Sequence, residues 1–328
     1  MTVYQDHTVG VVVTAYNEEP FIGDVIESVP EFVDRVYVVD DCSSDGTWEA
    51  ITEHVTPATR PERAPIPDGG QHGDGRVVAI RHTTNQGVGG AIKSGFERAL
   101  EDNLDVVAVM DGDGQMDPGQ LERLLDPIVE GPAHYAKGNR LSQVEHVDAM
   151  SPFRLFGNIL LTALTRIVSG YWRMRDPQNG YNAIDTELLH RIEFDRLHDR
   201  YGFRNDLLIH LGAHGATVAD VSMPAVYGDE RSHIRLTTFV PALSWLLARR
   251  FFWRLQADQN QPSVGSPSAA LVLSLLTSLS MVVRLRRRDR TPRWLTSLIT
   301  TLSCLLMMST VVEDRYANDE TITIGNHE

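Results

Sequence analysis

Over residues 8–113 short β-branched runs alternate with stretches of helical period. The runs are "TVGVVVTAY" (8–16), "DRVYVVDD" (34–41), "RVVAIRHT" (76–83) and "DVVAVMDGD" (105–113). Between them lie "EEPFIGDVIESVPEFV", "SDGTWEAITEHV" and "GVGGAIKSGFERALED", whose apolar residues recur at helical spacing. Strands that alternate with helices predict an α/β domain built on a mostly parallel sheet with both faces covered. Residues 56–75 are rich in Pro and Gly without periodicity and read as a surface loop. From about 134 to 227 the pattern loosens: a strand "HYAKGNRL", a long apolar helix over 151–172, then "DPQNGYNAID" and "ATVADVSMPAVYG".

The last third changes character. Residues 237–255, "TTFVPALSWLLARRFFWRL", are apolar and aromatic with a cationic edge at Arg249, Arg250 and Arg254. Such a helix suits a membrane interface; packing on the domain is the alternative. Two uncharged stretches follow, 268–283 and 294–312, separated by the basic "RLRRRDRTPR" (284–293). The second is just long enough for ~30 Å of hydrocarbon and the first is short. A basic loop favours the cytoplasm, so one span and two spans both stay open. The division expected is a catalytic domain at 1–235, a juxtamembrane amphipathic helix at 236–260, one or two membrane helices at 261–313 and an acidic tail at 314–328.

Charge narrows the partners. A net charge of −14 argues against nucleic acid. Lysine occurs only at 93 and 137, which fits either an Arg-favouring codon bias or a halophilic, high-salt cytoplasm. Cys42 and Cys304 form no disulfide framework or cysteine metal site, as expected of a reducing compartment. The opening "MTVYQDHTVG" has neither the basic start nor the apolar stretch of a signal peptide.

In an open parallel sheet, ligands bind beyond the carboxyl ends of the strands, and each of the four N-terminal runs ends in polar residues. The first ends in "TAYNEE", with the Tyr16 ring and the Glu18 carboxylate. The second ends in "DDCSSDGT", where Asp45 or Thr47 suits a helix cap but the pair Asp40–Asp41 is not needed for one. The third leads into "NQGVGGAIKSG", which has neither dinucleotide-binding nor Walker spacing. The fourth ends in "MDGDGQMDP" (110–118). An EF-hand is excluded because Met116 replaces the required glycine and Pro118 interrupts the loop. In an extended chain Asp111, Asp113 and Gln115 fall on one side, and the two carboxylates suit Mg²⁺ or Mn²⁺. A plain polar turn is the alternative.

Taken in order, "VVVTAYNEE", "VVDDCSSDGT", "NQGVGGAIKSG" and "MDGDGQMDP" resemble the family-2 glycosyltransferases of the GT-A fold, over roughly residues 9–235. The branch most resembled is the polyprenyl-phosphate hexosyltransferases, which include dolichyl-phosphate mannose and glucose synthases. The resemblance implies that Tyr16, Glu18 and Asp41 hold the nucleotide, and that Asp111, Asp113 and Gln115 hold a divalent metal, Mg²⁺ or Mn²⁺, on the donor diphosphate. It implies that Arg140 in "KGNRL" faces the reaction centre. Arg154 and Asn158 in "RLFGN" meet the acceptor phosphate with Arg140, Asn158 standing where many relatives have serine. In "DPQNGYNAID", Asn182 stands where relatives often have arginine. Asp206 in "FRNDLL" is the acid implied, and Arg231 in "YGDERSHI" is the basic residue that reaches the diphosphate; His233 beside it suits a surface position.

The expected reaction moves a hexose from a nucleotide-diphosphate sugar to a polyprenyl phosphate with inversion. UDP-glucose is favoured by resemblance and GDP-mannose is the alternative donor. The expected setting is the cytoplasmic face of the cell membrane, and a homo-oligomer is compatible with it. A lipid phosphate is already anionic near neutral pH and needs no strong base; a sugar hydroxyl would need one, with Asp206 the candidate. Two rival readings remain: a membrane-bound enzyme that extends a saccharide chain on a sugar hydroxyl, and a non-catalytic nucleotide-sugar-binding membrane protein.

Overall fold

A computed structural model describes residues 4–55, 71–72, 75–140, 152–224, 243, 245–247, 249–254 and 320–325, with the backbone alone at 71–72 and 152–160. The four expected N-terminal strands form: β1 (Val9–Ala15), β2 (Arg35–Asp40), β4 (Val77–Arg81) and β5 (Val106–Asp111). The helices between them are α1 (Ile22–Ser28), α2 (Thr47–Glu53) and α3 (Val88–Glu101). Inside the stretch expected to be loop, Gln71–His72 form a short β3 antiparallel to β4. Further along come α4 (Leu121–Val129), β6 (Tyr135–Asn139), α5 (Pro152–Ser169), β7 (Asn182–Asp185), α6 (Thr186–Arg191), α7 (Phe203–Ala213) and β8 (Val218–Ser222).

With a ninth, β9 (Thr321–Ile324), these strands join in one sheet of order β3-β4-β2-β1-β5-β7-β6-β8-β9. The β4-β2-β1-β5 block is parallel, as are β6, β8 and β9, while β7 runs antiparallel between β5 and β6. Strand alternation sends Val11 and Val13 of β1 into one apolar layer with α1 and α4. Val12 goes into the other, with α3 and α7. Both layers are buried, which is why these runs are continuously apolar. Gly95 lets α3 lie against β1, since a Cβ there would strike the Val12 side chain.

The ninth strand, β9 (Thr321–Ile324), was not expected; it falls within the residues read as an acidic tail. It adds to the sheet edge parallel to β8, with Val218↔Thr321 through Val221↔Ile324 in register. β9 becomes the outer strand of the sheet, and a four-residue "TITI" carries no signal of its own until its partner is known.

Residues 243, 245–247 and 249–254 are helical. One side of this helix packs on the domain: Leu243 and Leu247 join Leu161, Val168 and Ile209 in an apolar cluster, and Trp253 stacks on His210 at 4.5 Å. Two arginines of the supposed cationic edge turn inward. Arg250 pairs with Asp206, and Arg254 donates to the carbonyls of Val168 and Gly212. The other side presents Trp245 (73% exposed), Arg249 and Phe252 (64% exposed) to the outside. The two apolar stretches 268–283 and 294–312 lie outside the described residues, and among those described no helix is long and apolar enough to cross a membrane.

Both lysines of the chain are buried in ion pairs: Lys93 Nζ to Asp199 at 2.6 Å and Lys137 Nζ to Asp220 at 2.7 Å. The protein therefore exposes no lysine.

Candidate active site

At the carboxyl ends of β1, β2 and β5 the sheet opens into a cleft of ≈ 470 Å³. Thr14, Ala15, Tyr16 and Glu18 line it from β1, Asp41 from β2, and Asp111, Gly112 and Asp113 from β5. Asn85, Gly87, Val88 and Ala91 contribute from the entry to α3, and Arg200, Tyr201 and Arg204 close the opposite wall. Tyr16 is 50% exposed, its ring free of the core.

Asp41 is buried and organises the cleft floor. Its oxygens accept from His82 Nδ1 (2.7 Å), Gln86 N (2.8 Å) and Gly87 N (2.7 Å). Burial alone would raise its pKa, but these hydrogen bonds outweigh it and hold the carboxyl below its ordinary value. The neighbouring Asp40 accepts from Ser43 N at 2.9 Å and so shapes the turn. Gly87 needs its φ of +89°, and a Cβ on Gly89 would come within 2.5 Å of the His198 carbonyl. The glycines thus seat α3 against the 198–199 segment, and Lys93 tightens the same contact through the carbonyls of Asp195 and Leu197.

β5 ends at Asp111, and the chain then turns, with Gly114 at φ +74°. Asp113 reaches the cleft through this turn, and its Oδ1 accepts from Gln115 N at 3.0 Å. The extended row expected for Asp111, Asp113 and Gln115 therefore breaks, and Gln115 does not line the cleft. Asp117 accepts from Gly119 N at 2.9 Å and caps the short 3₁₀ turn Pro118–Gln120. Asp117→Ala should cost about 1 kcal/mol of stability and leave ligand binding unchanged, as read by thermal unfolding and nucleotide titration.

Because β7 is antiparallel, its first residue lies at the cleft end. The turn 176–181 before it therefore arrives beside Asp111. Arg204 crosses under this turn, with Nη2 at 3.0 and 2.9 Å from the two Asp111 oxygens and Nη1 at 3.3 Å from the Gln178 carbonyl. Asn182 is buried, its amide donating to the Gly180 carbonyl at 2.6 Å, and does not line the cleft.

Arg140 stands at the end of β6 in a two-point pair with buried Asp176, with Nε at 2.8 Å and Nη2 at 3.2 Å. Burial works against the Asp176 anion, but Arg140 holds its pKa below the ordinary value. Arg140 is outside the cleft lining, with its side chain 43% exposed. Arg154 and Asn158 lie on α5, where the backbone alone is described; Arg231 and His233 lie outside the described residues.

Asp206 departs most from expectation. It is fully buried, accepts from His198 N at 2.9 Å and from Arg250 Nη2 at 2.7 Å, and does not line the cleft. The cause is helical phase. Residues two apart on α7 point about 200° apart around its axis, so Arg204 faces the cleft and Asp206 the opposite side. Arg200, Tyr201 and Arg204 were not singled out from the sequence. Their signal was an Arg–Arg pair at i, i+4 flanking an aromatic at the helix entry.

The donor set fits a divalent cation in part. Asp111 and Asp113 supply hard oxygens to one cleft, and Asp111 already holds a cation, the Arg204 guanidinium. Among the described residues no three His, Cys, Asp or Glu side chains group closely enough to ligate a metal by themselves. Two carboxylates that leave positions for diphosphate oxygens and water match how Mg²⁺ and Mn²⁺ bind substrate phosphates.

The sheet thus carries two carboxylates at and just beyond the end of its central strand, beside a cleft lined by two arginines. The model of glycosyl transferase family 2 matches residues 10–205, and the chain belongs to that family: it is a glycosyltransferase. It is 26% identical over 225 residues to the UDP-N-acetylglucosamine–dolichyl-phosphate N-acetylglucosaminyltransferase of Methanococcus voltae, covering 68% of this chain and 88% of that one. It is 29% identical over 220 residues to the undecaprenyl-phosphate mannosyltransferase of Micrococcus luteus, covering 66% and 82%. Among solved structures it resembles glucosyl-3-phosphoglycerate synthase from Mycobacterium tuberculosis in complex with Mn²⁺, UDP and glucosyl-3-phosphoglycerate. There the TM-score is 0.52 and the identity 20%, covering 76% of this chain and 80% of that one, a likeness of GT-A fold.

Proposed function

We propose that the protein transfers a hexose from a nucleotide-diphosphate sugar to a polyprenyl phosphate, with inversion and with a divalent metal. The observation that carries this is the placing of Asp111 and Asp113 in one cleft with Tyr16, Glu18 and Asp41. Tyr16 offers a face for the base, and Glu18 and Asp41 offer acceptors for base and ribose. A cation held by Asp111 and Asp113 would neutralise charge on the leaving diphosphate. Arg231 is the proposed second source of positive charge there. Arg140, with Arg154 and Asn158 from α5, is proposed to receive the acceptor phosphate, for which guanidinium forks are suited. The two relatives named above act on dolichyl and undecaprenyl phosphates.

The buried Asp206 also favours a phosphate acceptor. A sugar hydroxyl needs a base within hydrogen-bond reach, and Asp206 spends its oxygens on His198 and Arg250. Its proposed role is to dock the 243–254 helix on the domain. UDP-glucose is the favoured donor and GDP-mannose the alternative; the names of the relatives carry both UDP- and mannosyl-linked chemistry. The test is a panel of labelled donors with polyprenyl phosphate, with Mg²⁺, Mn²⁺ or EDTA. Label should enter the organic phase with one donor and be lost with EDTA; no metal-dependent label with any donor contradicts the proposal.

Membrane attachment on the cytoplasmic face belongs to the same reading. The outward Trp245, Arg249 and Phe252 suit a lipid interface. Arg254 and Glu320 lie at one corner of the domain. Arg254 is bonded to Gly212 at the end of α7, and Val218 N, at the start of β8, donates to Glu320 O at 2.8 Å. A chain that re-enters the same sheet crosses a membrane an even number of times, so 268–283 and 294–312 are proposed to insert as a pair. A C-terminal epitope should then be digested by protease on the same side as the catalytic domain in sealed vesicles. Protection of the epitope while the domain is cut excludes this topology.

A further inference from the structure

We propose that Arg204 is a positioning residue that couples metal binding to diphosphate binding, a reading that rests on the metal role given above to Asp111 and Asp113. Its Nη2 holds both Asp111 oxygens, at 3.0 and 2.9 Å. Charge-assisted pairs of this kind are about twice as strong as neutral hydrogen bonds. Here both side chains are largely sheltered, 18% and 25% exposed, so salt screens the pair weakly. The turn above it leaves no slack, since a Cβ on Gly180 would come within 2.6 Å of Asp111 Oδ2 and would strike Arg204 Nη2.

A divalent ion at Asp111 and the guanidinium draw on the same two oxygens and repel each other. Metal binding therefore weakens the Arg204–Asp111 pair. Weakening it without a new anion leaves a sheltered positive charge poorly paired, which is costly. Arg204 also lines the cleft, and its buried Nε has no hydrogen-bond acceptor among the described residues. Its Nη1 bond to the Gln178 carbonyl is long, at 3.3 Å. The fork thus has donors to spare for an anion beside Asp111, and the donor diphosphate brings that anion into the same cleft. Metal alone is opposed; metal with diphosphate is favoured. The coupling is reciprocal, as any binding linkage must be.

The test is Mn²⁺ binding to the full-length protein, read by the EPR signal of free Mn²⁺, with and without UDP or GDP and with no sugar transfer required. In Arg204→Gln the affinity of the nucleotide-free protein for Mn²⁺ should rise about tenfold, and the gain on adding the nucleotide should shrink by a similar factor. Arg204→Lys, which keeps charge but not the fork, should fall between. Thermal unfolding checks that both variants fold. Unchanged or weaker Mn²⁺ binding in a folded Arg204→Gln overturns the coupling role and leaves the metal site standing. Absence of Mn²⁺ binding by the unaltered protein, with or without nucleotide, overturns both.

Discussion

Replacing Asp113 with alanine should abolish sugar transfer while the protein stays folded. Asp113 sits on a partly exposed turn after β5, reaches the cleft and accepts from Gln115 N. No apolar core is disturbed by its loss, so the melting temperature should move little. The effect on chemistry is large because the site has few hard oxygens to lose. Asp111 and Asp113 are the two carboxylates that β5 brings to this cleft. Metal stabilisation of a leaving diphosphate amounts to several kcal/mol, and each 1.36 kcal/mol is about tenfold in rate. A loss of turnover of at least ~10³-fold is expected, measured as initial rate at saturating Mn²⁺. Retention of more than a tenth of the rate would show that Asp113 is not a ligand.

Breaking the Lys137–Asp220 pair should have the largest effect on stability. Lys137 is 1% and Asp220 0% exposed, on the adjacent strands β6 and β8. The network is fully satisfied. Lys137 Nζ donates to Asp220 Oδ1 at 2.7 Å and to the carbonyls of Gly138 and Arg175, while Asp220 Oδ2 accepts from Asn139 Nδ2 and Arg175 N. Lys137→Met leaves a buried carboxylate without its cation, a change that costs roughly 3–5 kcal/mol. Lys137→Met combined with Asp220→Leu removes both charges and should recover much of that loss. Urea unfolding followed by tryptophan fluorescence reads both variants. Equal destabilisation of the single and double variants would mean that the pair acts through packing rather than charge.

Period and punctuation carried much of the fold. The β-branched runs of β1, β2, β4 and β5 each end in or lead into a polar cluster, and all four clusters meet in the cleft through Tyr16, Asp41, Asn85 and Asp111. Three things were not legible, each for a physical reason. Gln115 was placed by extrapolating an extended strand, but Gly114 at φ +74° turns the chain first. Arg204 lay two residues from the acid chosen in "FRNDLL", and the phase of α7, which decides which of the two meets the cleft, depends on packing against α5 and α3. The strand Thr321–Ile324 has no local signature, and only its pairing with β8 across nearly a hundred intervening residues defines it. Burial makes tethers of Lys93 and Lys137, the two lysines the sequence retains.

The account rests on the acceptor being a lipid phosphate. The direct measurement offers the purified, metal-loaded protein one labelled donor and three acceptors in parallel: polyprenyl phosphate, the matching polyprenol and a saccharide with free hydroxyls. Transfer to polyprenyl phosphate alone, giving a product from which mild acid releases the sugar, is the predicted result. Transfer to the saccharide with none to polyprenyl phosphate would contradict it.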